Sequence, residues 1–522
     1  MPPARRAMSR LSAVVALVVV AIAAVTLVAT FADARLGELT LTTVTLAAGT
    51  CLISVPVGTL LAVLVTRTDM PGRGVTAAAI GLLLFVPLYV QVVAWRAGFD
   101  IHGVFAAQMI LRGMPAAIWI HAVAATPWVV LLVGLGLRWI EPELEQQALL
   151  HAGPLRVFCS VTLPHAAGWI VAAVLWVAVT TAGQITVTDL FQVRTLAEEV
   201  FTQFRVGPAP GAAALGLLPG VVISAVFILA ALLIGSRLAP SPQRDSTRGP
   251  WTFRLGAWRW PATVLAVVFV VVLLGVPVAS LIGKAGIQMQ GAERTVSWSL
   301  AKCLRIVAES PVRHARELGC SAGVAMVVAT TTVMFAVLLA WRARSNQCGR
   351  WTMLTLVAVC LAVPGPLVGL SVIWLLNRPE VPLLVFLYDQ SIAGLWLAQS
   401  VKALPICGLI VWHAVSSVGE ETLGSAETEG AGSLVRLIRI TLPMRISALG
   451  IAWVASLVLA LGELDASILV APPGATTLPI LVSGWWHYGI EDRVAGICLF
   501  VLIVLVVPAL LIVRWGGRQR GV

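Results

Sequence analysis

The chain has 522 residues, a mean hydropathy of +0.96, 59% hydrophobic residues, only 11% charged residues and a formal net charge of +11. A soluble domain carries about 25% charged residues, so the composition excludes a soluble globule and predicts a polytopic membrane protein. Much of the basic excess sits in short loops beside apolar runs, which reads as membrane topology and not as nucleic-acid binding.

Arg5, Arg6 and Arg10 precede an apolar run over about 11–32. Ala32-Asp33-Ala34 is a weak cleavage-like site, so an uncleaved first helix with a cytoplasmic amino end is expected. Apolar runs of roughly 20 residues cross a bilayer. They predict further spans near 44–66, 74–95, 116–138, 165–184 and 211–236. A link rich in Arg, Pro and Ser follows at 237–260, from Arg237 to Arg259. A second series is expected near 261–283, 321–341, 351–376, 391–413, 444–462 and 494–513. The expected fold is an all-α polytopic membrane protein with two six-helix halves, 1–236 and 261–522, and about twelve transmembrane helices. Arg67, Arg73, Arg342, Arg344, Arg350, Arg514, Arg518 and Arg520 put both termini on the cytoplasmic side. The loop over 284–320 departs from this bias, with Lys284, Arg294, Lys302, Arg305, Arg313 and Arg316, and an interfacial helix is expected there. Cys303 and Cys320 share that loop, which leaves a disulfide open. The other cysteines lie mostly in apolar runs, as small hydrophobes, and no CxxC or Cys/His cluster occurs.

Two polar islands interrupt the apolar chain, within the loops 139–164 and 414–443. Glu141 to Pro164 reads EPELEQQALLHAGPLRVFCSVTLP, and Glu420 to Pro443 reads EETLGSAETEGAGSLVRLIRITLP. A shift of 279 positions aligns them without a gap. Glu141 meets Glu420, Ala152-Gly153 meets Ala431-Gly432, and Leu163-Pro164 meets Leu442-Pro443. Each predicts a short helix, a glycine turn and a second helix that re-enters the membrane at a proline. Leu155, Phe158 and Val161, and likewise Leu434, Leu437 and Ile440, are spaced to form one apolar face. An internally repeated membrane protein with a repeated cytoplasmic contact follows.

The islands resemble the EAA loop of binding-protein-dependent ABC importer permeases, which runs E-A-A, three residues, G, then I-x-L-P or V-x-L-P. Placed from its LP end, the first copy puts Glu145-Gln146-Gln147 on EAA, His151 on the glycine and Val161-Thr162-Leu163-Pro164 on the end. The second puts Gly424-Ser425-Ala426 on EAA, Gly430 on the glycine and Ile440-Thr441-Leu442-Pro443 on the end. The first copy keeps the glutamate and the second keeps the glycine. The resemblance covers nearly the whole chain and is closest to the fused permeases of ferric-iron, thiamine and related importers. It implies a bacterial plasma-membrane protein that partners two copies of a cytoplasmic ABC ATPase and a periplasmic or surface binding protein. No G-x-x-x-x-G-K-[ST] loop is present, so ATP and magnesium are expected on the partner and no enzyme activity or cofactor on this chain. The resemblance assigns ATPase coupling to Glu141, Glu145, Ala152, Gly153, Leu163, Pro164, Glu420, Glu427, Gly430, Ala431, Gly432, Leu442 and Pro443. Glu145 is expected to make a polar docking contact, with Glu427 or Glu429 supplying the charge in the second island.

Glu463 and Asp465 follow a predicted span that starts at Pro443, and Gln184 and Asp189 hold the matching place in the first half. About 20 residues of helix cross one hydrocarbon thickness, so these residues read as an outer-mouth gate or as interfacial polar residues that hold a loop. Ala471 to Pro479 is a rigid turn before Trp485, Trp486, His487 and Tyr488, which read as an interfacial aromatic belt. His121 and His413 read as structural histidines, and Pro127 and Pro405 as pliable points or simple kinks. No His and carboxylate pair has metal-ligand or hydrolase spacing. An ion-coupled secondary transporter is the alternative, but the spans lack the mid-membrane ionisable residues it needs.

Overall fold

The computed structural model describes residues 34–100, 103–105, 112–206, 251–290, 295–486 and 492–518, with short stretches between 220 and 230. The expected first span, most of the expected span at 211–236, most of the link at 237–260, and His487 and Tyr488 lie outside the described residues.

Long apolar runs become long helices. In the first half these are α1 (Ala34–Arg67), α2 (Arg73–Leu83), α3 (Leu88–Phe99), α4 (Gly113–Arg138), the island helix α5 (Pro142–Leu149) and α6 (Leu163–Ala182). In the second half α7 (Arg259–Val270) and α8 (Val276–Gly286) flank a π turn and lead to α9 (Leu300–Arg313). Then come α10 (Ala315–Ser345), α11 (Gln347–Ala362), α12 (Gly365–Leu376), α13 (Ala393–Ser416), the island helix α14 (Glu420–Thr428), α15 (Ile446–Gly462) and α16 (Asp492–Arg518).

The protein is an all-α polytopic membrane protein. Among the described residues six helices are long and apolar enough to cross a membrane, or nine if each of three bent pairs is one span. The expected twelve is not reached among these residues. The expected spans near 74–95 and 351–376 are each two helices, α2 with α3 at 102° and α11 with α12 at 109°. Pro87 and Pro364 cause both breaks. Each is the N-cap of the following helix with ψ near 150°, at 147° and 150°. Proline removes an N–H and disfavours helix in the residue before it.

Packing repeats between the halves. α1 packs on α4 and α6, and α10 packs on α13 and α15 in the same pattern. α4 and α13 are the inner helices, with 61% and 56% of their apolar windows buried, against 33% for α1 and 22% for the helix that contains α6. Leu52 and Val171 on the outer helices stay exposed, which suits contact with lipid. One main core joins the halves, with Tyr89, Val90 and Val93 packed in the same cluster as Val454, Val458 and Leu464.

The 284–320 loop gains detail, and one expectation changes. The loop over 284–320 holds a two-stranded antiparallel ribbon, Ile287–Gln290 with Thr295–Trp298, before α9. Cys303 and Cys320 are free thiols. Trp486 is no belt residue: it is 1% exposed, and its carbonyl accepts from Nη1 of Arg96 at 3.1 Å.

Candidate functional site

Each island folds as its sequence dictates. Glu141 is the extended N-cap of α5, with Pro142 at the first turn. Gly153 and Gly432 are both extended N-caps, at φ −67° and −63°, and open the second short helices Pro154–Val157 and Ser433–Val435. A π turn follows in both copies, Phe158–Thr162 and Arg436–Thr441, and leads to Leu163-Pro164 and Leu442-Pro443. The π turns rotate the expected apolar faces. Leu155 and Leu434 are exposed, whereas Leu437 is buried in the core, so the expected single stripe is split.

Gly430 carries a positive φ of 85°. Its N–H donates to the Glu427 carbonyl at 2.9 Å, and the Ala431 N–H donates to the Ala426 carbonyl at 2.9 Å. These are the paired bonds of a left-handed C-terminal cap. Gly430→Val is therefore expected to cost about 1–2 kcal/mol through φ alone, since nothing lies within 4 Å of the added Cβ. Unfolding of purified protein measures this, and an unchanged midpoint would contradict the cap.

Glu145 does not face outward as a docking contact would. It is fully buried, paired with the equally buried Arg67. Thr162 Oγ1 donates to its other oxygen at 2.6 Å, and Arg67 Nη1 donates to the Leu137 carbonyl at 3.2 Å. The guanidinium also lies 5.9 Å from the Phe253 ring centroid. A buried carboxylate needs such a partner to offset its desolvation, and that explains the inward turn. Glu420, Glu427 and Glu429 stay exposed, and Glu427 pairs with Arg436 at 2.7 Å.

A second cluster forms where the halves meet. A cavity of about 230 Å³ is lined by both helix breaks and by the chain just after α6 and α15. Gln184, Glu463 and Asp465 line it, whereas Asp189 does not. Asp465 Oδ1 accepts from the Thr186 N–H at 3.1 Å and from its hydroxyl at 2.6 Å. Thr186 and Asp465 are 279 positions apart, the same shift that aligns the two islands. The glycines repeat the relation. A Cβ on Gly183 would lie 3.3 Å from Pro364, and one on Gly462 would lie 3.1 Å from Pro87. Glu463 holds its own loop, accepting from the Ala466 and Ser467 N–H groups at 2.9 and 3.0 Å.

Other lining residues give the cavity mixed polarity. Lys402 Nζ donates to the Val363 carbonyl at 3.2 Å, and the Trp128 and Trp176 rings sit 5.1 Å apart. Nε2 of His121 and Oε1 of Gln91 and Gln184 have no hydrogen-bond partner. Among the described residues no group of three or more His, Cys, Asp or Glu could hold a metal. The lining thus combines hydrogen-bond donors and acceptors with apolar and aromatic walls. Sequence reasoning gave no site role to Arg67, Thr162 or Lys402, whereas the 279-residue shift by itself sets Thr186 opposite Asp465.

No family model matches the chain. The chain is 25% identical over 147 residues to the putrescine transport system permease protein PotI of Escherichia coli (strain K12), covering 28% of this chain and 52% of that protein. It is 29% identical over 164 residues to the putative 2-aminoethylphosphonate transport system permease protein PhnV of Salmonella choleraesuis (strain SC-B67), covering 30% of this chain and 59% of that protein. The chain thus spans just over half the length of the curated relatives it matches. These similarities give the chain a family-level link to the permease subunits of ABC-type transport systems.

Proposed function

We propose that this chain is the transmembrane permease subunit of an ATP-driven, binding-protein-dependent importer in a bacterial plasma membrane. Its islands, within 139–164 and 414–443, would each contact one copy of a cytoplasmic ABC ATPase, with both termini on the same side. Glu141, Ala152, Gly153, Leu163, Pro164, Glu420, Glu427, Gly430, Ala431, Gly432, Leu442 and Pro443 belong to that contact region. Glu145 supports it from inside. ATP and magnesium would be bound by the partner subunits, and a periplasmic or surface binding protein would deliver the solute.

The observation that carries this reading is the island pair in register, combined with a cavity built from equivalent parts of both repeats. Cavities at a repeat interface, lined by broken helices, suit a solute path. Gln184, Glu463 and Asp465 belong to that path, and Asp189 lies just beyond it. The solute is proposed to be ferric iron or a related small solute such as thiamine. The names of the relatives add putrescine and 2-aminoethylphosphonate to the panel that must be tried.

The test is co-purification with an ABC ATPase, followed by ATP hydrolysis stimulated by loaded binding protein across that panel. Stimulation by one solute is expected. Uptake that follows an ion gradient, with no ATPase bound, would instead establish the secondary-transporter reading, which the family-level similarity does not favour.

A further inference from the structure

The islands share a plan and are fastened differently. In the first, Glu145 joins three places: Arg67 at the end of α1, Thr162 at the foot of α6, and through Arg67 the Leu137 carbonyl near the end of α4. The ion pair is fully buried. From Pro154 the chain runs as one helical stretch of 29 residues to Ala182.

In the second island Gly424 stands where the first has Glu145, and it offers no carboxylate. Arg344 donates to the Val415 carbonyl at 2.7 Å, just as Arg67 does to Leu137. Thr441 Oγ1, the counterpart of Thr162, turns to the Arg436 carbonyl at 3.1 Å. The helical path then breaks: Ser433–Met444 and Ile446–Gly462 meet at 80°. Arg445 sits at the break with φ −117°. Its counterpart by the 279-residue shift is Ala166, which is fully buried. Arg445 is half-buried, and its Nη2 reaches the Ser417 carbonyl at 2.6 Å. Two further ties hold the second island, Arg436 to Glu427 and Trp341 to Ser433, and both are exposed. Exposed pairs hold weakly and buried pairs resist opening.

We propose that Arg67 is a positioning residue that makes the first island a rigid extension of its helix bundle, while the second island pivots about Arg445 and Gly430. Its role in transport rests on the reading of the islands as ATPase contacts; the difference in stiffness does not. A closing ATPase would then move the first half as one body and the second half through a joint.

The experiment is amide hydrogen exchange on the full chain in lipid nanodiscs, comparing 142–150 with 420–429. The first island should exchange about tenfold more slowly, since buried attachments suppress local opening. Glu145→Gln should bring the first island to the rate of the second. Thr162→Val, a milder change that keeps the ion pair, should fall between. Equal exchange in the unaltered protein would overturn the proposal. A second readout separates positioning from docking. Glu145→Gln should still co-purify with the ATPase but transport severalfold less solute per ATP. Loss of ATPase association with slow exchange retained would make Glu145 a docking contact and refute the positioning role. If the unaltered chain binds no ATPase, the coupling reading fails, and the exchange comparison still decides the stiffness.

Discussion

Glu145→Ala is expected to destabilise the protein by about 3–5 kcal/mol, because it leaves the buried Arg67 without its counter-charge. Both side chains are fully excluded from solvent. What remains for the guanidinium is the Leu137 carbonyl and the face of Phe253, while its Nε has no partner. Neither contact replaces a carboxylate. The double replacement Arg67→Met with Glu145→Leu removes the charge along with its partner, so it should recover most of the loss. Thermal unfolding of the single and double variants in detergent measures both effects. If Glu145→Ala unfolds within about 0.5 kcal/mol of the unaltered protein, the ordinary range for a surface change, the pair is not buried as described.

Gly365→Val should abolish transport by pushing Asp465 away from Thr186, to which it is bonded. A Cβ at Gly365 would collide with the Cβ of Asp465, and would lie 3.1 Å from its carbonyl carbon and 3.2 Å from the Ala466 nitrogen. Two of these neighbours are backbone, so they cannot swing away. Overpacking of this kind costs about 1–3 kcal/mol. Displacing Asp465 would also leave the buried Thr186 N–H and hydroxyl unpaired, which adds about 1–3 kcal/mol. Gly319→Ala is the control, since nothing lies within 4 Å of its Cβ. Uptake in membranes that contain equal amounts of each variant is the measurement. Normal uptake by Gly365→Val would show that the seam around Asp465 does not matter for passage.

The sequence by itself determined most of the described helices and the shared plan of the two islands. Apolar run length fixes where a helix exists, and expected spans such as 116–138 and 444–462 match α4 and α15 within a few residues. Island register was legible because the turn and re-entry signals are local. Gly430 supplies the positive φ that its cap requires, and Pro164 sits in the first turn of α6, whereas Pro443 lies in the short helix Leu442–Met444 before the break at Arg445. Pro87 and Pro364 were equally visible, but run length alone treated each broken pair as one span.

Tertiary structure decided the direction of side chains and the meeting of distant segments. Glu145 in a polar island reads as exposed until Arg67, 78 residues earlier in the chain, is found beside it. The same holds for Asp465, which lies buried against Thr186 and not free at a rim. It also holds for Arg445, whose reach to the Ser417 carbonyl, 28 residues earlier, no local pattern announces. Helix existence follows from neighbours in sequence. The burial of a charge depends on a partner that only the packed fold brings within reach, because an unpaired charge would be expelled from the interior.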